Sequence, residues 1–318
     1  MASDATLEGV LVVDKPQGPT SHDVVACVRR ATGIRKVGHL GTLDPMATGV
    51  LPVAIGRATR LAPWLTGAPK QYRAVITLGR VTDSYDIPGT EGGGALTLNP
   101  SALAPSADAV ADALDGFLGE TEQLPPPVSA KKVNGVRAYR LARRQQPVDL
   151  KPVPVRVDEL SLLSVDAWKV KCRIRSSSGF YVRALAHDLG QRLGCGGCLE
   201  ALTREAHGRF TLADAVPLAE IVDDEAARHE IRSRLTTRLM RLDTLLPELP
   251  AVQVTDAGAR RARHGNALRP ADFTDGPLFG STPAIRVLDS DGHLLCLAKP
   301  ATGGHLQPQL VLAAIVGE

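Results

Sequence analysis

Short strand-like runs alternate with helix-like runs along the first two-thirds of the chain, and this order constrains the fold most. Apolar or alternating runs between turn residues predict strands, and helical periodicity that ends at a glycine predicts helices. The predicted strands are Gly9–Val13, Leu51–Ile55, Tyr72–Leu78 and Trp168–Ile174. The predicted helices begin at Thr20 or Ser21, near Ser106 and near Tyr181, and a charged helical region spans Ala219 to Leu246. Because these elements lack a regular βαβ period, we predict a mixed α+β sheet domain.

The last part of the chain reads differently. From Glu248 to Val254 the sequence returns to β-type character, and Gly and Pro recur every few residues to the end. We therefore place a domain boundary near Leu246. The division predicts a large domain over residues 1–246 and a small β-rich domain over residues 247–318.

The net charge of +3 is too small to identify a partner, but its distribution is informative. The span from Lys131 to Arg144 holds six basic side chains and no acidic one, and further clusters lie at 29–36 and 260–264. Such clusters are consistent with one surface that follows nucleic-acid phosphates, and equally with three solvated faces. Charge alone leaves both interpretations open.

Several function classes are disfavoured by what the sequence lacks. The acidic start lacks the features of an export signal, and no apolar run is long enough to predict a membrane helix. We therefore expect a cytoplasmic protein. Cys195 and Cys198 form one C-x-x-C, but a structural zinc site needs four ligands, so we favour idle thiols over a redox pair. Neither G-x-G-x-x-G nor a Walker loop is present, which disfavours dinucleotide and nucleoside triphosphate use.

The segment from Val37 to Leu51 has the most chemistry to offer. Its glycines allow the backbone to bend and approach a ligand closely, and we expect a loop from residue 37 to 49. His39 and Asp44 are its polar side chains with catalytic potential. Taken alone, Asp44 followed by Pro45 is more typical of a helix N-cap than of a catalytic carboxylate.

Two longer sequence segments favour the catalytic interpretation of Asp44. Lys15-Pro-Gln-Gly-Pro-Thr-Ser21 followed by Lys36-Val-Gly-His-Leu-Gly-Thr-Leu-Asp-Pro-Met-Ala-Thr-Gly-Val-Leu-Pro52 closely resembles the bacterial TruB family of tRNA pseudouridine synthases. The similarity covers roughly residues 9–210 and continues through Ile55-Gly-Arg-Ala-Thr59, Gln123-Leu-Pro-Pro126 and Ser178-Gly-Phe-Tyr-Val-Arg183. Motifs this long are far more specific than a short pattern.

The resemblance implies a fold and an activity. The fold is the pseudouridine-synthase fold, with a mixed, largely antiparallel sheet flanked by helices, and the C-terminal domain loosely resembles the RNA-binding PUA type. The activity is that of an isomerase (an intramolecular transferase) acting on uridine 55 in the T arm of tRNA. It cleaves the C1′–N1 bond and rejoins the base through C5.

The same resemblance assigns catalytic roles to three residues. Asp44 matches the essential aspartate, and Arg183 matches the arginine that pairs with it. Tyr72 matches the tyrosine that stacks on the target base and helps to remove the C5 proton. Elementary chemistry is compatible with these roles, since C1′–N1 cleavage leaves electron deficiency on the ribose and calls for an ionised carboxylate near C1′.

Substrate-binding roles follow in the same way. His39 matches a residue that contacts the opened T loop, Leu202 one that lines the uracil pocket, and Lys15 one that supports the site from behind. Tyr181 is a further expected substrate contact. The basic residues expected to bind RNA are Lys131, Lys132, Arg137 and Arg140.

The reaction needs no redox step, group donor or metal, so we expect no cofactor. The target base must leave its stack to reach the carboxylate, so we expect base flipping. The expected partner is the T stem-loop of tRNA, with no membrane, obligate protein partner or guide RNA, and the expected state is a monomer.

Three alternatives remain at the level of sequence. A non-catalytic tRNA-binding or tRNA-folding protein would keep the same scaffold. A nucleoside or glycoside hydrolase also uses carboxylates at an anomeric carbon, but it usually needs a second one, which the motif segment does not supply. A guide-RNA-dependent relative is the third, and the compact chain argues against it.

Overall fold

The computed structural model describes residues 7–87, 103–128, 132–133, 136–137, 150–221, 228–274 and 282–313. Within these ranges the strands are β1 Gly9–Lys15, β2 Val37–His39, β3 Thr48–Ile55, β4 Lys70–Leu78, β5 Gly119–Gln123, β6 Lys132–Val133, β7 Val136–Arg137, β8 Val153–Asp166, β9 Lys169–Ser176, β10 Gly197–His207, β11 Phe210–Thr211, β12 Val216–Pro217, β13 Ala251–Gln253, β14 Ile285–Leu288, β15 Leu294–Pro300 and β16 Leu306–Val311. The helices are α1 Ser21–Thr32, α2 Ala62–Leu65, α3 Ala107–Asp115, α4 Val182–Arg192, α5 Arg228–Arg238 and α6 Asp256–Arg263. Short 3₁₀ turns lie at Gly56–Leu61, Leu212–Asp214, Leu218–Glu220, Leu242–Thr244, Pro270–Asp272 and Thr302–Gly304.

One large sheet organises the first two-thirds of the chain. Its strands follow the order β12-β1-β3-β10-β4-β9-β8-β5, with β2 paired to β3 and β11 to β10. The β12–β1 and β3–β10 pairs are parallel and the other pairs are antiparallel. The predicted α+β fold with a mixed, largely antiparallel sheet is therefore confirmed.

Opposite faces of β1 and β3 are buried against different parts of the chain. On one face, Leu11 and Val13 belong to a core shared with α1, α3, α4 and α5. On the other face, Val10 and Val12 pack in a cluster with apolar residues that follow α5, including Leu245 and residues of β15. Burial on both faces explains why β1 reads as a continuous apolar run rather than an alternating one.

The C-terminal part is β-rich, as predicted. Strands β13, β14, β15 and β16 form a four-stranded sheet in that order, and α6 packs on it around a separate core. Leu245, Leu246 and Leu249 lie in the cluster that joins this part to the main sheet. The division at residue 246 stays a prediction.

Local sequence signals account for some elements and miss others. Helix α1 begins where predicted, because Thr20 and Asp23 form a capping box, and it ends at the left-handed Gly33. The segment predicted as a loop contains β2, whose three residues pair with β3. The charged helical region is shorter than predicted, since α5 covers Arg228–Arg238 among the described residues.

The described helices include none that is long and apolar enough to cross a lipid bilayer.

Helix α4 approaches β10 backbone to backbone. A Cβ atom at Gly190 would lie 2.0 Å from the Gly197 nitrogen and 2.1 Å from the Gly196 carbonyl carbon. The Gly190 carbonyl accepts hydrogen bonds from the amides of Cys195 and Gly196 at 3.0 and 2.9 Å. This contact fixes how α4, which carries Arg183, sits over the sheet.

We predict that Gly190→Ala lowers the free energy of unfolding by about 3 kcal/mol, the upper end of the usual cost of overpacking, because the new methyl would overlap the backbone of Gly196 and Gly197. Gly67→Ala is the matched control, since no atom lies within 4 Å of its added Cβ. Chemical denaturation measures both variants. Equal stability of the two variants would contradict the close packing of α4 on the turn before β10.

Candidate active site

Asp44 lies in a tight turn between β2 and β3. The Ala47 amide donates to the Asp44 carbonyl at 3.0 Å, and Pro45 is the second residue of this turn. No helix begins at this point, so the interpretation of Asp44 as a helix cap is wrong. Its side chain is 36% exposed and is therefore accessible to a ligand.

Lys15 supports this turn from beneath. Its side chain is fully buried, and Nζ donates to the carbonyls of Pro16 and Pro19 at 2.8 Å and of Pro45 at 3.3 Å. Burial lowers the pKa of Lys15 to about 8, against the opposing effect of the Asp44 carboxylate. The structure thus places Lys15 behind the turn, where it positions the backbone next to Asp44.

Arg183, the second residue of α4, holds Asp44 from the opposite side. Its Nε lies 2.9 Å from Asp44 Oδ2, and its side chain is only 6% exposed. Nη1 donates to the Ser84 carbonyl at 2.9 Å and lies 3.5 Å from Asp86 Oδ2, and Nη2 donates to the Val128 carbonyl at 2.8 Å. Contacts on every nitrogen fix the guanidinium fork, so Asp44 meets a rigid cation.

Asp86, which follows a short turn, also contacts Arg183 through its side chain. Its carboxylate is 14% exposed, faces Arg183 and accepts a hydrogen bond from Ser84 Oγ at 2.6 Å. Burial raises the pKa of Asp86, and the Ser84 hydrogen bond and the Arg183 charge oppose the rise. The turn-rich sequence around Asp86 gave no sign of this pairing, because its partner is distant in the chain.

Next to Asp44 and Arg183 opens a cavity of about 290 Å³. Tyr72 on β4 and Leu202 on β10 are each 8% exposed and form part of its wall, together with Phe180 and Tyr181. This volume is near the lower end of the range for ligand pockets, roughly 300–1,000 Å³. The predicted residues Asp44, Tyr72, Arg183, Tyr181 and Leu202 all line this cavity.

Arg204 is a site residue that the sequence did not reveal. It is 1% exposed and lies opposite Tyr72 in the β10–β4 register. It donates to the carbonyls of Val50 at 2.7 Å, Gly41 at 3.0 Å and Thr42 at 3.3 Å, and so ties β10 to the segment before Asp44. Burial raises the pKa of the Tyr72 phenol, and the neighbouring Arg204 charge opposes that rise.

Further contacts fix the backbone of Tyr181 and the ring of His39 at the cavity. Tyr181 is held by paired hydrogen bonds with the Gln123 side-chain amide, at 2.8 and 3.0 Å. His39 is half-buried, precedes Leu40 of the cavity wall, and packs edge-on against His22 with the ring centroids 5.3 Å apart.

Comparison with known proteins adds what geometry alone does not give. Residues 29–182 match the model described as TruB family pseudouridylate synthase (N terminal domain), and residues 183–247 match the tRNA pseudouridylate synthase B C-terminal domain. The chain is 41% identical over 309 residues to tRNA pseudouridine synthase B of Solibacter usitatus, covering 96% of this chain and 100% of that protein. This chain belongs to the TruB family of pseudouridylate synthases.

A second relative agrees with that membership, and a solved structure shares the fold. A Mycobacterium tRNA pseudouridine synthase B (strain KMS) is 41% identical over 295 residues, covering 92% of each protein. A chain in a solved H/ACA RNP bound to a substrate RNA that contains 2′-deoxyuridine superposes with a TM-score of 0.71 at 24% identity. That match covers 97% of this chain and 86% of the other, and it shows a shared fold.

The predicted RNA-binding residues of this TruB-family chain are only partly described. Lys131 and Arg140 lie outside the described residues. Lys132 and Arg137 are register partners in the β6–β7 hairpin, and nothing is described of their side chains. Their role stays a prediction.

The basic cluster at residues 260–264 is partly neutralised within the fold. Arg261 Nε lies 3.3 Å from Asp272, and Arg263 Nη2 lies 3.5 Å from Asp289. These two arginines therefore offer less free charge to an RNA than the sequence suggested.

Residues with metal-ligand chemistry lie away from the cavity. Three such residues cluster at the β14–β15 turn: Asp289, Asp291 and His293. Asp289 Oδ1 accepts hydrogen bonds from the backbone amides of Asp291 and His293 at 3.1 and 2.9 Å. Turn formation accounts for this group. Burial raises the pKa of Cys198 to about 11 and also raises that of Cys195, so both favour the thiol form and offer little thiolate for a redox pair.

A larger depression of about 640 Å³ lies along the β5 edge strand, beside Glu120, Glu122 and Arg156. It is open and does not contain the converging carboxylate, guanidinium and phenol groups of the smaller cavity. Chemistry therefore favours the smaller cavity as the active site.

His207 lies directly behind the Asp44 segment. It is fully buried, and its Nε2 donates to the Leu65 carbonyl at 3.1 Å. A Cβ added to Gly41 would come within 3.1 Å of the His207 ring. Burial, with the charges of Lys70 and Arg204, lowers the pKa of His207 to about 3, so the folded protein keeps it neutral.

We predict that the protein loses stability as the pH falls from 7 to 5. Below pH 6.5, the ordinary His pKa, an unfolded chain binds a proton at His207 that the folded chain, with its pKa near 3, does not bind. Above pH 6.5 the neutral His207 makes its full contribution to the free energy of unfolding. At pH 5 the loss of this free energy is at most about 2 kcal/mol. Chemical denaturation at both pH values measures it. His207→Gln, which retains an N–H donor, should lose clearly less; an equal loss would contradict a neutral buried imidazole.

Proposed function

We propose that the protein isomerises uridine to pseudouridine in tRNA, with Asp44 as the catalytic carboxylate. The observation that carries this proposal is the Asp44–Arg183 ion pair of 2.9 Å, set beside a cavity walled by Tyr72 and Leu202. Membership of the TruB family supports it, since the curated relatives are named tRNA pseudouridine synthase B.

The finer substrate assignment is position 55 in the T stem-loop. Its support is the resemblance of the segments 15–21 and 36–52 to the bacterial family. On the same basis the protein acts in the cytoplasm as a monomer, without a guide RNA or an obligate protein partner. The proposed reaction requires neither a cofactor nor a metal.

The first chemical step breaks the C1′–N1 bond, and its electron pair leaves with N1. The Asp44 carboxylate then either attacks C1′ or takes a proton from the neighbouring sugar carbon. Both routes need a carboxylate oxygen close to the sugar, which the 36% exposure of Asp44 allows. Arg183 holds this carboxylate beside the cavity through the ion pair.

The second step turns the detached uracil over and joins C5 to C1′. As this bond forms, the Asp44 carboxylate leaves C1′ or, on the other route, returns its proton to the neighbouring sugar carbon, and the C5 proton is then released. Tyr72 and Leu202 form apolar walls that keep the base in place while it turns. Burial raises the pKa of Tyr72, so at neutral pH its phenol stays protonated. Water or Asp44 is therefore a better final acceptor for the C5 proton than Tyr72, whose role is to stack on the base.

The uridine must leave its stack to react, because the Asp44 carboxylate lies in the wall of a cavity that a stacked base does not enter. His39, next to the cavity wall at Leu40, is positioned to contact the opened loop from the side. The cost of unstacking, a few kcal/mol, is lowest in a single-stranded loop, and this favours a loop uridine as substrate.

A glycoside or nucleoside hydrolase is less well supported. Asp86 is a second carboxylate near Arg183, but it is 14% exposed and is not part of the cavity wall. A hydrolase would release free uracil, whereas an isomerase retains it. Family membership also favours the enzyme over a non-catalytic tRNA-binding protein.

We predict that Asp44→Asn abolishes pseudouridine formation, with a rate loss of at least about 1,000-fold, because the amide neither attacks C1′ nor accepts a proton. The affinity for unmodified tRNA should stay within about threefold, because ground-state contacts remain. Mass spectrometry of nucleosides and filter binding measure the two quantities.

Asp115→Asn is the matched control, since Asp115 is exposed on α3 away from the cavity. It should leave both quantities unchanged. Full activity of Asp44→Asn would exclude the proposed chemistry, and release of free uracil by the wild type would indicate a hydrolase instead.

A further inference from the structure

Two buried cations line the cavity in addition to Arg183. Lys70 on β4 is 8% exposed, and its Nζ donates to the carbonyls of Thr66 at 2.8 Å and Ala68 at 2.7 Å. Arg204 on β10 is 1% exposed and donates to three carbonyls of the Asp44 segment and β3. Both side chains belong to the cavity wall.

Within the described ranges, neither cation forms an ion pair with a carboxylate. Carbonyl oxygens accept hydrogen bonds from both side chains but do not neutralise their charge. Burial, reinforced by the Arg204 charge, lowers the pKa of Lys70 to about 8, so its ammonium form still predominates at neutral pH. Uncompensated buried charges are costly, and a fold that retains two of them side by side is suited to receive an anion.

The cavity is also polarised. Lys70 and Tyr72 lie two residues apart on β4 and therefore face the same side of the sheet, and Arg204 is the register partner of Tyr72 on β10. The cation pair therefore belongs to the part of the wall around Tyr72, on which the base is expected to stack. A nucleoside with its sugar at Asp44 would direct its base towards Lys70 and Arg204.

The proposed reaction generates an anion in that position. When the C1′–N1 bond breaks heterolytically, its electron pair stays on N1, and the negative charge spreads over the uracil ring and its two carbonyl oxygens. The ribose carbon becomes electron-deficient and is met by Asp44. When C5 later bonds to C1′, the ring electrons are returned and the C5 proton leaves, so the charge on the base is transient.

We propose that Lys70 and Arg204 form an anion-stabilising floor that holds the detached uracil as its anion between bond cleavage and reattachment. This inference rests on the proposed function. Preorganised donors at a site of developing charge are among the largest contributions to catalysis, because they need no reorganisation when the charge appears. The same attraction retains the free base while it turns.

A phosphate group would also suit the charge of this pair. The cavity walls favour a base, because Tyr72, Phe180 and Leu202 provide flat or apolar surfaces that a planar ring covers well and a phosphate does not. The two ligands differ in what they predict for kinetics. A phosphate contact acts on RNA affinity, whereas the proposed floor acts on the bond-breaking step.

Single-turnover kinetics of Lys70→Met on two T stem-loop RNAs test the proposal. One RNA carries uridine at the target position and the other carries 5-fluorouridine, whose base forms a more stable anion. On uridine we expect a rate loss on the order of 100-fold, with unchanged RNA affinity. On 5-fluorouridine, followed as disappearance of the starting nucleoside, the loss should be clearly smaller, because the leaving base needs less help.

Two variants control for structure. Lys70→Arg keeps the charge and should recover most of the rate on uridine. Lys171→Met makes the same change at an exposed position on β9 and should change nothing. Equal losses on the two RNAs would show a merely structural role for Lys70, and weaker RNA binding with an unchanged rate would show a phosphate contact; either result overturns the proposal.

A measurement on the unmodified protein guards against a variant that fails to fold. Free 5-nitrouracil is an anion at neutral pH and has a shape similar to uracil, which is neutral. Competition with the stem-loop should show tighter inhibition by 5-nitrouracil, and equal inhibition by the two would contradict an anion site. Absence of pseudouridine in the wild-type reaction would instead refute the proposed function itself.

Discussion

The ion pair between Asp44 and Arg183 is the interaction on which the rest of the site depends. Asp44 alone would be a partly exposed carboxylate in a turn, and Arg183 alone would keep only the longer ion pair with Asp86. Their contact at 2.9 Å holds the Asp44 carboxylate at the edge of a cavity. The large sheet supplies the cavity wall, and the close packing of α4 at Gly190 sets the position of the arginine.

Long basic side chains hold the segment that carries Asp44 in place. The backbone between β2 and β3 is irregular, so its polar groups need partners outside a strand ladder. Lys15 binds the carbonyl of Pro45, and Arg204 binds those of Gly41 and Thr42. Ser21 both donates to and accepts from the Leu43 backbone. The segment is thereby rigid without being a helix or a strand, and its side chains stay available for substrate.

Sequence patterns predicted the elements whose determinants are local. Helix α1 was predictable because its cap and its terminal glycine lie in the sequence itself, and β4 because its apolar residues alternate. Strand β2 was missed, since three residues pair with β3 only through tertiary contact. The roles of Asp86 and Arg204 were missed for the same reason: each depends on a partner far away in the chain. The resemblance to the TruB family, rather than periodicity, predicted catalytic roles for Asp44, Tyr72 and Arg183.

The most direct test of the central claim is a crystal structure of the Asp44→Asn variant bound to an unmodified T stem-loop. We predict that the target uridine is flipped out of its stack, with its base in the cavity beside Tyr72 and Leu202. Its C1′ should lie about 3–4 Å from the side chain at position 44, the distance of a reactive arrangement. A uridine that stays stacked in the loop, or that enters the cavity with its sugar turned away from position 44, would contradict the proposed role of Asp44.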